Sequence, residues 1–105
     1  MNTPHRSHEE ATIAMFRDDP ALAADYLNDV LATGDDVDLM LALRSLSGAF
    51  GGVQEIARRA DANPNTMYRT LSKEGNPSLK TLRAVLKAMG LQLAVRADTA
   101  PGVAA

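Results

Sequence analysis

Asn65, Thr66, Tyr68 and Arg69 crowd into one short polar stretch of a 105-residue chain. These side-chain types bond the edges of bases and the phosphates beside them. Arginine can pair with guanine through two hydrogen bonds and asparagine can do the same with adenine, while threonine or tyrosine can touch phosphate or a thymine methyl. Gln54 and Asn63 just upstream, and Lys73 and Lys80 just downstream, add polar and cationic groups suited to the sugar–phosphate backbone. Together they form a candidate set for double-stranded DNA. The chain shows no comparable set for catalysis: no Ser/His/Asp arrangement, no paired carboxylates in a plausible cleft and no metal-ligand spacing in its patterned part. Gly51-Gly52 lacks the strand and the further glycines of a phosphate loop. His5 and His8 are the only histidines, and without a third ligand fixed nearby they read as surface residues. The expectation is therefore no enzyme, no metal and no cofactor.

The elements that must position this set lie between Val53 and Leu71. Ile56, Ala57 and Ala60 put small or apolar groups on one side of a first short helix, with Gln54, Glu55, Arg58 and Arg59 elsewhere. Ala57 leaves room for close helix crossing. A joint at Asp61-Ala62-Asn63 follows. Asn63 is suited to capping a second helix, with Pro64 at its first position, where the missing N–H costs nothing. Met67 and Leu71, four apart, anchor that helix inward and leave Asn65, Thr66, Tyr68, Arg69 and Ser72 outside. Two short helices with such a joint describe a helix-turn-helix, whose second helix enters the major groove. Such joints usually carry glycine where Asp61 stands, and aspartate can adopt the left-handed conformation at some cost. An ordinary packed helix pair would show the same pattern.

The flanking chain reads as scaffold. Asp18 or Asp19 before Pro20 starts a helix whose stripe is Leu22, Ala23, Tyr26, Leu27, Val30 and Leu31, ending at Gly34. Asp35 or Asp36 caps the next, with Val37, Met40, Leu41, Leu43 and Leu46 running towards Phe50 and a close at Gly51-Gly52. After a loop at residues 73–77, Ser78 caps a helix striped by Leu79, Leu82, Val85, Leu86 and Met89 and ended by Gly90. Lys80 sits near the positive end of that helix, a position better explained by a phosphate partner than by helix stability. Leu91, Leu93 and Val95 then alternate as a short strand that must find its ladder in a second subunit or partner chain. Ile13, Met15 and Phe16 form a small apolar cluster that can pack onto the body.

The net charge of −2 conceals two opposed halves. Residues 1–50 hold three basic against nine acidic residues, net −6, and residues 51–96 hold eight against three, net +5. A basic half could meet phosphate and an acidic half would avoid it, although both could equally be solvated surface. With two tyrosines, two phenylalanines and no tryptophan, the core must be mainly aliphatic. The absence of cysteine excludes a disulfide framework, a thiolate nucleophile and a cysteine-based zinc site. No membrane partner is expected, since no apolar run approaches the ~18 residues of a membrane span. The N-terminus lacks a signal-peptide core. Cytoplasmic residence is the expectation.

Three segments, DYLNDVLATGD, LMLALRSLSGAFGGVQEIARRA and NPNTMYRTLSKEGNPSLKTLRAVLKAMGLQL, resemble the addiction-module antidote proteins. These are HigA-like antitoxins with a helix-turn-helix of the Cro and phage-repressor class. The likeness covers about seventy residues, from Asp25 to Val95, and departs from the pattern at Pro64 and Thr70. The resemblance implies an antidote of a type II toxin–antitoxin module. Such a protein neutralises a RelE/ParE-like toxin and represses its own operon by binding operator DNA as a homodimer. A stand-alone phage-repressor-type regulator and a protein-binding adaptor with a degenerate helix-turn-helix are the alternatives. The expected fold is all-α: a compact helical domain of about five helices with a lambda-repressor-like helix-turn-helix, plus a short C-terminal strand. The expected layout is a flexible segment at 1–18, a DNA-binding domain at 19–97 and a disordered tail at 98–105. DNA-binding positions are Gln54, Asn63, Asn65, Thr66, Tyr68, Arg69, Lys73 and Lys80, with the acidic helices between Pro20 and Phe50 offered to a basic toxin.

Overall fold

The computed structural model describes residues 14–98, and every regular element among them is helical. Residues 14–18 form α1, followed by α2 (Pro20–Thr33), α3 (Asp36–Ala49), α4 (Val53–Arg59), α5 (Pro64–Thr70) and α6 (Leu79–Ala88). The expected flexible segment lies mostly outside the described residues, but its last five positions are helical. Phe16 explains why: it is buried, and its ring stacks on Tyr26 with centroids 5.1 Å apart. The expected tail, apart from Asp98, also lies outside the described residues.

Local chemistry sets the boundaries. The Asp19 carboxylate accepts the N–H groups of Ala21 and Leu22 at 3.1 and 3.3 Å, and Pro20 occupies the first turn of α2; the carboxylate satisfies donors that have no helical partner, and proline brings no N–H that would need one. α3 opens on a reciprocal pair in which Asp35 accepts from the Asp38 N–H at 2.9 Å and Asp38 accepts from the Asp35 N–H at 3.1 Å. This is a capping box with aspartate in place of the usual glutamate. Asn63 caps α5 and Ser78 caps α6.

α3 packs against α2 on one side and α4 on the other, and α4 in turn holds α5 and α6. Leu43, Leu46, Ile56, Met67, Leu71, Val85 and Met89 fill the shared core with almost no solvent exposure. Each such side chain contributes roughly 1.5–3 kcal/mol relative to exposure. Four expected stripe residues lie outside this core: Leu31 is 55%, Val37 39%, Leu41 47% and Leu79 64% exposed. In each case the stripe continues where no neighbouring helix covers it. The expected strand is also not formed: residues 91–98 have no regular structure. A single copy offers them no backbone ladder, and a strand exists only as half of a pair.

Candidate nucleic-acid interface

The joint between α4 and α5 is built from three hydrogen bonds. The Ala60 N–H donates to Ile56 O at 2.9 Å, Asp61 N–H to Arg58 O at 3.2 Å and Ala62 N–H to Ala57 O at 2.8 Å. The last two are the paired bonds of a Schellman motif, which requires a left-handed residue just past the helix. Asp61 supplies it at φ 56°, the one non-glycine with positive φ among the described residues. α6 ends in the same way, with Gly90 N–H to Lys87 O and Leu91 N–H to Leu86 O at 3.0 and 2.8 Å, and there glycine takes the left-handed position at φ 77°.

α5 starts where the Asn63 side chain accepts the N–H groups of Asn65 and Thr66 at 2.8 and 3.2 Å. That bond pair engages the Asn63 carboxamide oxygen in the cap and leaves its NH2 group as the part able to meet a partner. Met67 and Leu71 are buried at 1% and 0% exposure, so the opposite side of the helix faces out. At about 100° per residue, Asn65 and Arg69 sit near the centre of that outer face, with Thr66 and Tyr68 flanking them. All four are exposed. Gln54 is exposed in the first turn of α4, and Lys73 is exposed in the loop after α5. Lys80 is exposed as well but stands on α6, a separate helix that meets α5 through α4.

The charge of α4 is quieter than its sequence suggests. Glu55 accepts from Arg58 at 2.9 and 2.6 Å and from Arg59 at 2.8 Å. These bonds, the Arg58 pair foremost, pull the Glu55 carboxyl down to about 2 and push the Arg58 guanidinium upward. Arg59 also donates to Ala88 O at 3.0 Å, fastening α4 to the end of α6. Two of the eight basic residues in the second half are thus engaged within the protein. Arg69, Lys73, Lys80, Arg83 and Lys87 form no ion pair among the described residues.

One residue beside the candidate set has no local sequence signal. The Arg44 guanidinium, from α3, lies 4.9 Å over the Tyr68 ring. Its Nη1 donates to the carbonyls of Tyr68 and Leu71 at 3.4 and 3.3 Å. In the sequence it is a single arginine among aspartates, and that isolation is the only hint.

Residues 8–97 match the family model described as "Probable addiction module antidote protein". An uncharacterized protein of Haemophilus influenzae (strain ATCC 51907 / DSM 11121 / KW20 / Rd) is 34% identical over 71 residues, covering 68% of this chain and 72% of that protein. No solved structure matches the chain significantly.

Proposed function

The chain belongs to the family of probable addiction module antidote proteins, and from that membership we propose that it is the antitoxin of a type II toxin–antitoxin module. In this reading it neutralises a RelE/ParE-like toxin in the cytoplasm and represses its own operon by binding operator DNA as a homodimer. The observation that carries the DNA half is the outer face of α5, where Asn65, Thr66, Tyr68 and Arg69 are exposed opposite the buried Met67 and Leu71. A helix anchored on one side, with base-bonding groups on the other, has the form of a recognition helix. Lys73 and Lys80 would add the salt-dependent backbone attraction, joined by Gln54 and the Asn63 NH2. The unit would run through residues 19–97, with α1 added at its start. Two copies would place their α5 helices about one helical turn (~34 Å) apart on a near-palindromic site.

The toxin half is supported by the α2–α3 hairpin. Asp25, Asp29, Asp35, Asp36 and Asp38 are all exposed there, and Asp38 lines a groove of about 370 Å³ together with Tyr26, Val30, Thr33, Leu41 and Ser45. Exposed carboxylates beside a groove of mixed polar and apolar lining would suit a basic partner, with charge steering the encounter.

A gel shift with DNA from upstream of the chain's own operon, run across a salt series, tests the first half. The Arg69→Ala and Asn65→Ala double variant should lose specific binding, and retention of full specific binding would remove α5 from the reading. Co-expression with the product of the adjacent gene tests the second: failure both to co-purify and to restore growth would end the antitoxin claim. The withdrawal of Arg58 and Arg59 onto Glu55 favours a second reading, the protein-binding adaptor. It is selected if the partner binds while DNA does not at any salt concentration.

A further inference from the structure

Arg44 is the single basic residue of α3, and it makes no ion pair among the described residues. Its guanidinium is turned instead to the C-terminal end of α5. There the last carbonyls have no helical donor, and the helix dipole favours a cation. Nη1 bridges Tyr68 O and Leu71 O at 3.4 and 3.3 Å, while Ser72 Oγ donates to the carbonyl between them, Arg69 O, at 2.6 Å. The bridging bonds are long, so neither holds the helix end strongly alone. The stack, with Cζ 4.9 Å from the Tyr68 centroid, gives the guanidinium a third point of attachment and covers one face of the ring. Tyr68 nonetheless stays 40% exposed.

We propose that Arg44, which lies outside the helix-turn-helix, is a positioning residue for sequence discrimination: it fixes the Tyr68 ring and the end of α5 in the orientation that meets the bases. The inference rests on the DNA-binding reading above. Arg44 acts through Tyr68 and does not itself neutralise a phosphate. Substituting Arg44 therefore changes which sequences are bound and leaves the electrostatic part of binding alone.

The test measures operator and non-operator DNA affinity over a salt series for wild type, Arg44→Met, Arg44→Lys, Tyr68→Leu and the Arg44→Met/Tyr68→Leu pair. Methionine keeps an apolar stem and removes the donors; lysine keeps the charge but loses the flat stack. Both Arg44 variants should weaken operator binding about tenfold, the worth of one well-placed base contact, with non-operator affinity unchanged. Arg44→Met should cost nothing further once Tyr68 is leucine. Three results overturn the proposal: a salt slope that drops by about 0.9, the mark of a lost phosphate contact; full binding by Arg44→Lys; or an Arg44→Met loss that persists in the Tyr68→Leu background. A DNA-free measurement accompanies these. The Arg44 side-chain protons should show an upfield ring-current shift in NMR spectra of the wild type that vanishes in Tyr68→Leu, and its absence from the wild type also refutes the stack. If wild type shows that shift but binds no operator, the DNA-binding reading has failed and this role falls with it, a result distinct from failure of the contact.

Discussion

Replacing Gly75 by alanine should damage the protein out of proportion to one added methyl group. A Cβ at this position would overlap the carbonyl oxygen of Thr70 and lie 2.5 Å from its carbon and 3.0 Å from Ser72 O. All three are backbone atoms, so no rotamer change can relieve the contact. The loop turns tightly after α5, with the Gly75 N–H donating to Ser72 O at 2.8 Å. The methyl group must therefore push either the loop or the last turn of α5 outward by more than an ångström. Overpacking of this kind costs about 1–3 kcal/mol, and the rigidity of the neighbours places Gly75→Ala near ~3 kcal/mol. A domain of this size has only about 5–15 kcal/mol to lose. At about 4–8 °C per kcal/mol for small domains, Tm should fall by roughly 12–24 °C. Thermal and urea unfolding followed by far-ultraviolet circular dichroism would measure it, with an unchanged urea slope marking a native-state effect. A Tm within about 2 °C of wild type would refute the reasoning, because a loop that absorbs the methyl at that cost is not pinned against Thr70.

Asn63→Ala should cost about 1 kcal/mol in unfolding free energy by stripping the cap from α5, whereas Asn63→Asp should lose little, and equal losses from the two would contradict a capping role. Asp61→Gly should raise stability by about 0.5 kcal/mol, since relief of the left-handed penalty exceeds the added freedom of the unfolded chain; a fall in Tm would mean that the aspartate side chain contributes more than its backbone costs. The Glu55 carboxyl is lowered to about 2 in the folded chain, first by the Arg58 hydrogen bonds and then by Arg59, from an ordinary value of 4.5. A depressed carboxylate stabilises the fold above its unfolded value, and that contribution disappears as the pH falls from 4.5 towards 2. Acid titration of stability should therefore be flatter over that window in Glu55→Gln than in wild type, and superimposable curves would remove Glu55 as a source of acid sensitivity.

The helix boundaries were legible in the sequence because capping is local. Asp19 before Pro20, Asp35, Asn63 before Pro64, and Ser78 each bond N–H groups two or three residues ahead, so a short window of sequence contains the whole interaction. The strained joint at Asp61 was visible for the same reason. What escaped depends on distant parts of the chain. Arg44 meets Tyr68 across 24 residues, and Arg59 meets Ala88 across 29; neither sequence neighbourhood records the other. Periodicity placed Leu31 and Leu79 on apolar stripes, but a stripe has no memory of how wide the neighbouring helix is, and both are exposed. The net charge of the second half likewise counted Arg58 and Arg59 as available to phosphate, because a sum cannot show that both turn to Glu55. At residues 91–96 an alternation was present without a partner to make it a strand.

If α5 is a recognition helix, its length would limit how much a single copy can know about its target. Seven residues at 1.5 Å rise give about 10 Å of helix, which at 3.4 Å per base step lies along roughly three base pairs. Three fully determined pairs distinguish about 64 sequences, while a genome presents on the order of 10⁶ or more competing sites. One such helix used alone would find thousands of equally good addresses. Doubling the reading head squares the number of distinguishable sequences to about 4,000, still short of a unique address on the same scale. In the proposed dimer the remainder would have to come from the fixed spacing and bend of the DNA between the two heads.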